Sequence, residues 1–383
     1  MTGVSGSFDI TFKLAEFSIA EEDLLNFTLV EEAGNILPTF KISFTISSEK
    51  IFRVLNEGND IEISFGRKED DLINAKLIPI SVKSHNSGYN KKVVEVVGIY
   101  SAASYLNSSK LFISSKKSAI SVLKDLVSTH FTPKFSISTS KDSQYWIQPN
   151  ISDRKFANNL LLHSNLGTSF PLFGISSNGE FICKDAKTEV GKPFKWRFTN
   201  TSSDPRDIMY DGDYVLESDI GLVNTLTGYS RQKLLFNLEE GTEEYTLGED
   251  GTILADSNTT IKNSEVEKKF AAAGMINENV HPNYWSSYMN NISKLSSFSK
   301  NSITLSFTGK MFPVKILDLV FFKDKDVETD RTSEYYSGLY FITRVSRSIV
   351  NRVLTTVVKL SRESINRPKT GDNLTTSLGG ITF

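Results

Sequence analysis

The chain has 383 residues, 39% of them hydrophobic and 23% charged, with 43 Lys and Arg against 45 Asp and Glu for a net charge of −2. That length exceeds the roughly 250–300 residues at which one core stops growing, so several packed units of an ordinary soluble globular protein are expected. Balanced charge without a basic block argues against a dedicated nucleic-acid binder, the single Cys183 excludes an intrachain disulfide or a multi-thiolate zinc site, and no segment reaches the ~20 apolar residues of a membrane span.

The N-terminus, Met1-Thr2-Gly3-Val4-Ser5, lacks a positive patch followed by an apolar run, so synthesis and retention in the cytoplasm are expected. Leu25 to Glu32 and Thr39 to Ser47 alternate apolar and polar residues on a period of two. They predict a long hairpin around Ala33-Gly34-Asn35. A short helix with Ile51, Phe52, Val54 and Leu55, capped by Ser47 or Ser48, stops at Gly58. Strands follow at Asp60 to Gly66, Ala75 to Ser84 and Lys91 to Tyr100, the last two joined through Ser87-Gly88. One closed or nearly closed antiparallel sheet satisfies them all.

From Ser115 the period becomes helical. Ala119, Ile120, Leu123, Leu126 and Val127 form one stripe; Phe156, Leu160, Leu161 and Leu162 form another, opened by Ser152 or Asp153 and ended near Gly167. A hairpin through Phe173-Gly174-Ile175 and Gly179-Glu180-Phe181-Ile182 follows, and Cys183 at its end reads as a small buried hydrophobe. Residues 239–265, rich in acidic and turn residues, read as an exposed excursion. Pro282 to Ser299 places Trp285, Met289, Ile292 and Leu295 at helical spacing. Final strands are expected at Ile303 to Thr308, Val314 to Phe322, Leu339 to Ser348 and Val353 to Ser361. The last three repeat the pattern of Asp60 to Phe65, Leu77 to Ser84 and Lys91 to Tyr100, which suggests an internal duplication.

Chemistry is sparse. There is no phosphate loop, dinucleotide fingerprint, His-Glu-x-x-His or nucleophile elbow. His85, His130, His163 and His281 are too far apart to share a helix face, and each reads as a turn or surface residue. Asp211-Gly212-Asp213, with Glu217 and Asp219, is the densest carboxylate group, but it lacks a calcium-loop pattern and reads as a polar turn. No catalytic, cofactor-binding or metal-ligating residue is assigned, and no cofactor is expected. The 26 Phe and 13 Tyr lie largely on strand period and read as sheet core.

The order of elements resembles a known family. Val93 to Ser101, Leu106, Leu111-Phe112-Ile113 and the helix Ser118 to His130, then Trp146 to Phe156, then Gly167, Phe173-Gly174 and Asn178-Gly179-Glu180-Phe181 are similar to the central hub protein of contractile phage baseplates. Phe307-Thr308-Gly309 to Phe322, Gly338 to Ile342, Arg344-Val345 and Thr355 to Arg362 are similar to that family's closing barrel. The hub-like N-terminal half of the type VI secretion spike protein shares the pattern. The resemblance implies a mainly β fold: two tube-like antiparallel β-barrel domains plus inserted α+β and helical segments.

The expected division is 1–105 for the first barrel, 106–204 for an α+β insert, 205–238 with 300–365 for the second barrel, 239–299 for the acidic excursion and helical insert, and 366–383 for a polar tail. The resemblance further implies a non-enzymatic homotrimer in the virion tail baseplate, assembled in the host cytoplasm. Its partners would be the hexameric tail tube, the trimeric central spike and other baseplate proteins, with DNA passing through the lumen unbound. Because the chain ends at Phe383 after its polar tail, a hub with a separate spike protein is the expected arrangement. Two other readings are a receptor- or carbohydrate-binding tail protein, from the aromatic-rich strands, and a cell-wall hydrolase using Asp211 and Asp213.

Overall fold

A computed structural model describes residues 9–14, 17–46, 49–66, 73–86, 88, 91–201, 204–205, 207–212, 214–218, 232–237, 241–246, 270–275, 280–298, 301–309, 314–324, 333, 335–350 and 353–363. The fold is mainly β with helical insertions. Its largest part is a 14-stranded sheet that serves two separate hydrophobic cores.

The first sheet unit contains β1 (Asp9–Leu14), β2 (Phe17–Ile19), β3 (Leu24–Glu32), β4 (Thr39–Ile46), β5 (Ile61–Gly66), β6 (Ile73–Asn86) and β7 (Lys92–Tyr100). Period-two alternation sends Phe27, Leu29, Phe40, Ile42, Phe44, Ile61, Ile63, Phe65, Leu77, Val94 and Val96 to one buried face. Each such side chain contributes about 1.5–3 kcal/mol when fully buried. Helix α1 (Glu49–Asn56) lies between β4 and β5 and ends at Gly58, whose φ of 75° is the left-handed conformation a helix stop favours.

Residues 101–195 carry the insert, with α2 (Ala103–Asn107), β8 (Ser109–Ile113), α3 (Ala119–Val127), β9 (Thr132–Phe135), β10 (Ile147–Ser152), α4 (Asp153–His163), β11 (Pro171–Ile175), β12 (Glu180–Asp185) and α5 (Ala186–Val190). The hydroxyls of Ser118 and Ser152 cap α3 and α4 by accepting from the backbone N–H three residues on. A third core, including Tyr105, Leu123, Trp146, Phe156, Leu160, Phe181 and Cys183, fills the space between these elements.

The second sheet unit contains β13 (Trp196–Thr199), β14 (Asp207–Met209), β15 (Val215–Ser218), β19 (Asn301–Thr308), β20 (Leu319–Lys323), β21 (Gly338–Val350) and β22 (Val353–Arg362). Between β15 and β19 come β16 (Gln232–Asn237), β17 (Gly241–Thr246), β18 (Phe270–Met275) and α6 (Tyr284–Phe298).

Two placements differ from the sequence expectation. Strand β13, expected in the α+β insert, pairs in parallel with β20 of the second unit. Strand β16, expected in the second barrel, pairs instead with β17 and β18 in a separate three-stranded sheet. Gly241 to Thr246, the described part of the acidic stretch, is a strand of that small sheet, since ladder hydrogen bonds need only backbone. The polar tail at 366–383, Asp213, Asp219 and most of 239–265 lie outside the described residues.

The duplication is visible in the pairing. Strands β3-β4-β7-β6-β5 and β15-β19-β22-β21-β20 follow the same spatial and chain order, antiparallel throughout. Both long central strands carry one extra residue at the same place. Ile80 is skipped between Pro79↔Gly98 and Ser81↔Val97, and Thr343 is skipped between Ile342↔Leu360 and Arg344↔Lys359.

Candidate interaction surfaces

The two units meet edge to edge. The N-terminal half of β21 pairs with β20 in its own unit, and its C-terminal half, Arg344 to Val350, pairs antiparallel with Glu32 to Asn26 of β3. Ile349 and Leu354 at the tip of the β21–β22 hairpin enter the first core. At the centre of the joint the Arg347 Nη1 donates to Glu31 Oε2 at 2.7 Å. The other Glu31 oxygen accepts from the backbone N–H of Ser177 at 2.6 Å and its hydroxyl at 2.9 Å, while Arg347 Nη2 donates to the Val314 carbonyl at 2.6 Å. One ion pair thus ties both sheet units to the insert.

The turn after β3 strengthens this junction. The Gly34 N–H donates to the Phe173 carbonyl at 2.7 Å, Tyr105 donates its phenol proton to Asn35 Oδ1 at 2.7 Å, and Arg154 Nε donates to the Asn35 carbonyl at 2.8 Å. Gly179 in the insert sits at φ 74°, and a Cβ there would lie 2.1 Å from the Tyr100 hydroxyl of β7.

Several sheet surfaces are exposed among the described residues. The C-terminal half of β6 and the strand β15 present open edges, with Ile80 65% and Leu216 41% exposed. The β8–β10 ribbon of the insert exposes Leu111, Ile113, Tyr145 and Ile147. Beside it opens a cavity of about 430 Å³, lined by Lys110, Phe112, Ile113, Lys117, Asp125 and Leu126.

The residues singled out in the sequence fall as follows. The Asp211 carboxylate accepts from the backbone N–H of Thr308, and Gly212 has a turn φ of 64°. Glu217 lies in β15, ion-paired with Lys359 and accepting from the Ser302 hydroxyl. Among the described residues, no three His, Cys, Asp or Glu side chains come together as a metal site. Cys183 is buried, and burial pushes its thiol pKa up.

Histidine placement is partly corrected. His85 is exposed, but His163 and His281 are buried, His163 stacking on Tyr284 with ring centroids 3.7 Å apart. Both are held by α6, which the sequence alone could not bring alongside α4. His281 sits beside Trp146 and Tyr284, and loss of solvation lowers its pKa from 6.5.

His130 belongs to a polar cluster that motif reading missed. Its Nε2 lies 2.8 Å from Asp153 Oδ2, and its Nδ1 lies 3.2 Å from the Ser104 hydroxyl. Lys110 donates to the same Asp153 oxygen at 3.1 Å and Gln148 to the other at 2.9 Å. Burial alone would raise the Asp153 pKa, but the hydrogen bonds from Gln148, His130 and Lys110 outweigh it and hold it below the usual value. Ser, His and Asp in line have the composition of a hydrolase triad, yet here the carboxylate is anchored by three side chains and clamps β8, β10 and α4 together.

The missed pair Glu31 and Arg347 did leave a trace in the sequence. Each is the single charge among apolar residues on its strand face, Phe27-x-Leu29-x-Glu31 and Val345-x-Arg347-x-Ile349.

Comparison with solved structures fits this architecture. A tail protein from Neisseria meningitidis MC58 aligns over 93% of this chain and 96% of its own, with 9% identity and a TM-score of 0.58. The chain has the fold of phage tail proteins. The 43 kDa tail protein of prophage MuSo2 from Shewanella oneidensis aligns equally well, over 93% of this chain and 99% of its own, at 9% identity and a TM-score of 0.58. No protein-family model matches the sequence, and no curated protein matches it. At such identity the likeness concerns the fold, so side-chain roles come from this chain's own geometry. Among the described residues, no helix of this tail-protein fold is long and apolar enough to cross a membrane.

Proposed function

We propose that the chain is a structural hub of a phage tail or related contractile injection machine. Three copies form a ring that joins the hexameric tail tube to the trimeric central spike in the virion baseplate and lines part of the DNA path. The observation that carries this reading is the duplicated five-strand unit within one chain, joined edge to edge by β21 and β3. Three such chains present six similar units, which is what a match between sixfold and threefold symmetry needs. The likeness to two tail proteins over 93% of the chain supports the setting.

The near-zero net charge suits a conduit, because a strongly basic lumen would retain DNA through counterion release. The exposed β8–β10 ribbon and its cavity are the surface assigned to other baseplate proteins. No catalytic step is part of this reading, and the Asp153 cluster is given a structural role. Mass photometry with negative-stain imaging tests the proposal: it expects trimeric rings that co-assemble with tube and spike proteins. A chain that stays monomeric at all concentrations and joins neither partner would overturn it.

A further inference from the structure

The duplicated units use opposite edges at their joint. The second unit contributes the C-terminal half of β21, and the first contributes β3. The counterparts of these two edges are the C-terminal half of β6 and strand β15. Among the described residues, β6 from Ile78 onward pairs only with β7, and β15 pairs only with β19. Each chain therefore holds one used joint and the two complementary halves of a second.

We propose that the free half of β6 in one copy pairs antiparallel with β15 of a second copy, repeating between chains the joint that β21 and β3 make within one. This rests on the ring reading above and specifies its contact. Edges of opposite kind produce head-to-tail association, which closes into a ring when the rotation allows.

The matching bulges fix the register. Pro79↔Gly98 and Val82↔Val96 correspond to Ile342↔Leu360 and Val345↔Val358. Following the ladders outward, Phe40 corresponds to Ile303 and Leu29 to Leu216. In the internal joint Val345, Ser346, Arg347 and Ser348 face Glu31, Val30, Leu29 and Thr28. The external joint then sets Val82 against Ser218, Lys83 against Glu217, Ser84 against Leu216, and His85 against Val215.

Three features favour this occupant. In that register Lys83 of one copy stands opposite Glu217 of the next, opposite in charge and adding to the pair Glu217 makes with Lys359 of its own chain. Leu29 is fully buried by the internal joint, whereas its counterpart Leu216 is 41% exposed, as expected of a core-facing position awaiting its cover. The free half of β6 reads Ser81-Val82-Lys83-Ser84-His85-Asn86, a polar edge with a bulge, the kind of edge that resists indiscriminate pairing before assembly.

The test uses the full chain and two independent readouts. Lys83→Glu sets two carboxylates against each other and is expected to weaken assembly by roughly five-fold per joint, and adding Glu217→Lys with Lys359→Glu, which keeps the intrachain pair in reversed sign, restores it. Separately, Ser84→Cys with Leu216→Cys under oxidised glutathione is expected to give a cross-linked ladder ending at the closed ring. The buried Cys183 does not interfere, and either single-cysteine variant shows no ladder. A wild-type trimer that neither cross-links through this pair nor responds to the charge reversal overturns the joint but leaves the hub reading standing. A wild-type monomer that forms no cross-link overturns both.

Discussion

Arg347 reaches Glu31 at 2.7 Å across 316 residues of sequence, with both side chains buried where the two sheet units meet the insert. Removing one partner leaves a buried charge unpaired, which costs about 3–5 kcal/mol. Arg347→Met is therefore expected to lower unfolding stability by that amount in denaturant titration. A double replacement, Glu31→Leu with Arg347→Met, recovers a substantial part of the loss. A single variant as stable as wild type would show that the pair does not hold the joint.

Asn291 on α6 offers its side-chain amide to the carbonyls of Leu161, Leu162 and Ser164, where α4 ends. The last carbonyls of a helix lack intrahelical partners, and of these three the Leu161 carbonyl also accepts from the N–H and hydroxyl of Ser164. Asn291→Ala is expected to cost about 1–3 kcal/mol and to speed amide exchange around 161–164 in hydrogen-exchange mass spectrometry. Asn291→Asp, which turns a carboxylate toward the same carbonyls, is expected to be worse.

Gly179→Ala combines a φ of 74° with a Cβ 2.1 Å from the Tyr100 hydroxyl. A loss of about 1–3 kcal/mol is expected, from backbone strain together with overpacking. Tyr100→Phe in the same chain relieves only part of it, because the ring carbon beneath the hydroxyl is also close, at 2.9 Å. Thermal unfolding of the single and double variants measures both effects.

Acid is expected to destabilise the chain in two stages. His281 has its pKa lowered from 6.5 by desolvation, so below about pH 6.5 the unfolded chain takes up a proton that the folded chain refuses. Its contribution is complete above that pH and declines as pH falls. Asp153, held below its usual value of 3.8, contributes above the unfolded value and loses that contribution as pH falls through its folded value. Stability measured against pH should therefore fall first below 6.5 and again in strong acid. His281→Leu should flatten only the first limb.

Strands β3 to β7 were legible because every second residue is apolar and one face meets a core. Helix α6 was legible as a helix but not in its orientation. Trp285, Met289, Ile292 and Leu295 look like its core stripe, whereas the described residues it buries are Ser287, Asn291, Lys294 and Phe298. Its middle packs on the polar end of α4, where Asn291 donates to carbonyls, while Leu295 and Phe298 near its C-terminus meet the apolar cores. The repeat of three strands was visible in the pattern, but its extension to five was not, since residues 219–300 separate β15 from β19 where a six-residue turn separates β3 from β4. No local pattern can place Glu31 beside Arg347, and the open edges became identifiable only after the pairing was known.

The strand β21 belongs to both sheet units at once, which fixes the angle between them before any second chain arrives. In the proposed ring, six units built from three such chains require two encounters between bodies instead of five. Each encounter avoided spares the loss of translational and rotational freedom, about 4–15 kcal/mol. For the proposed ring, fusing two units through one strand makes closure easier to reach at low copy number and leaves half of the angular geometry to folding rather than to chance meeting.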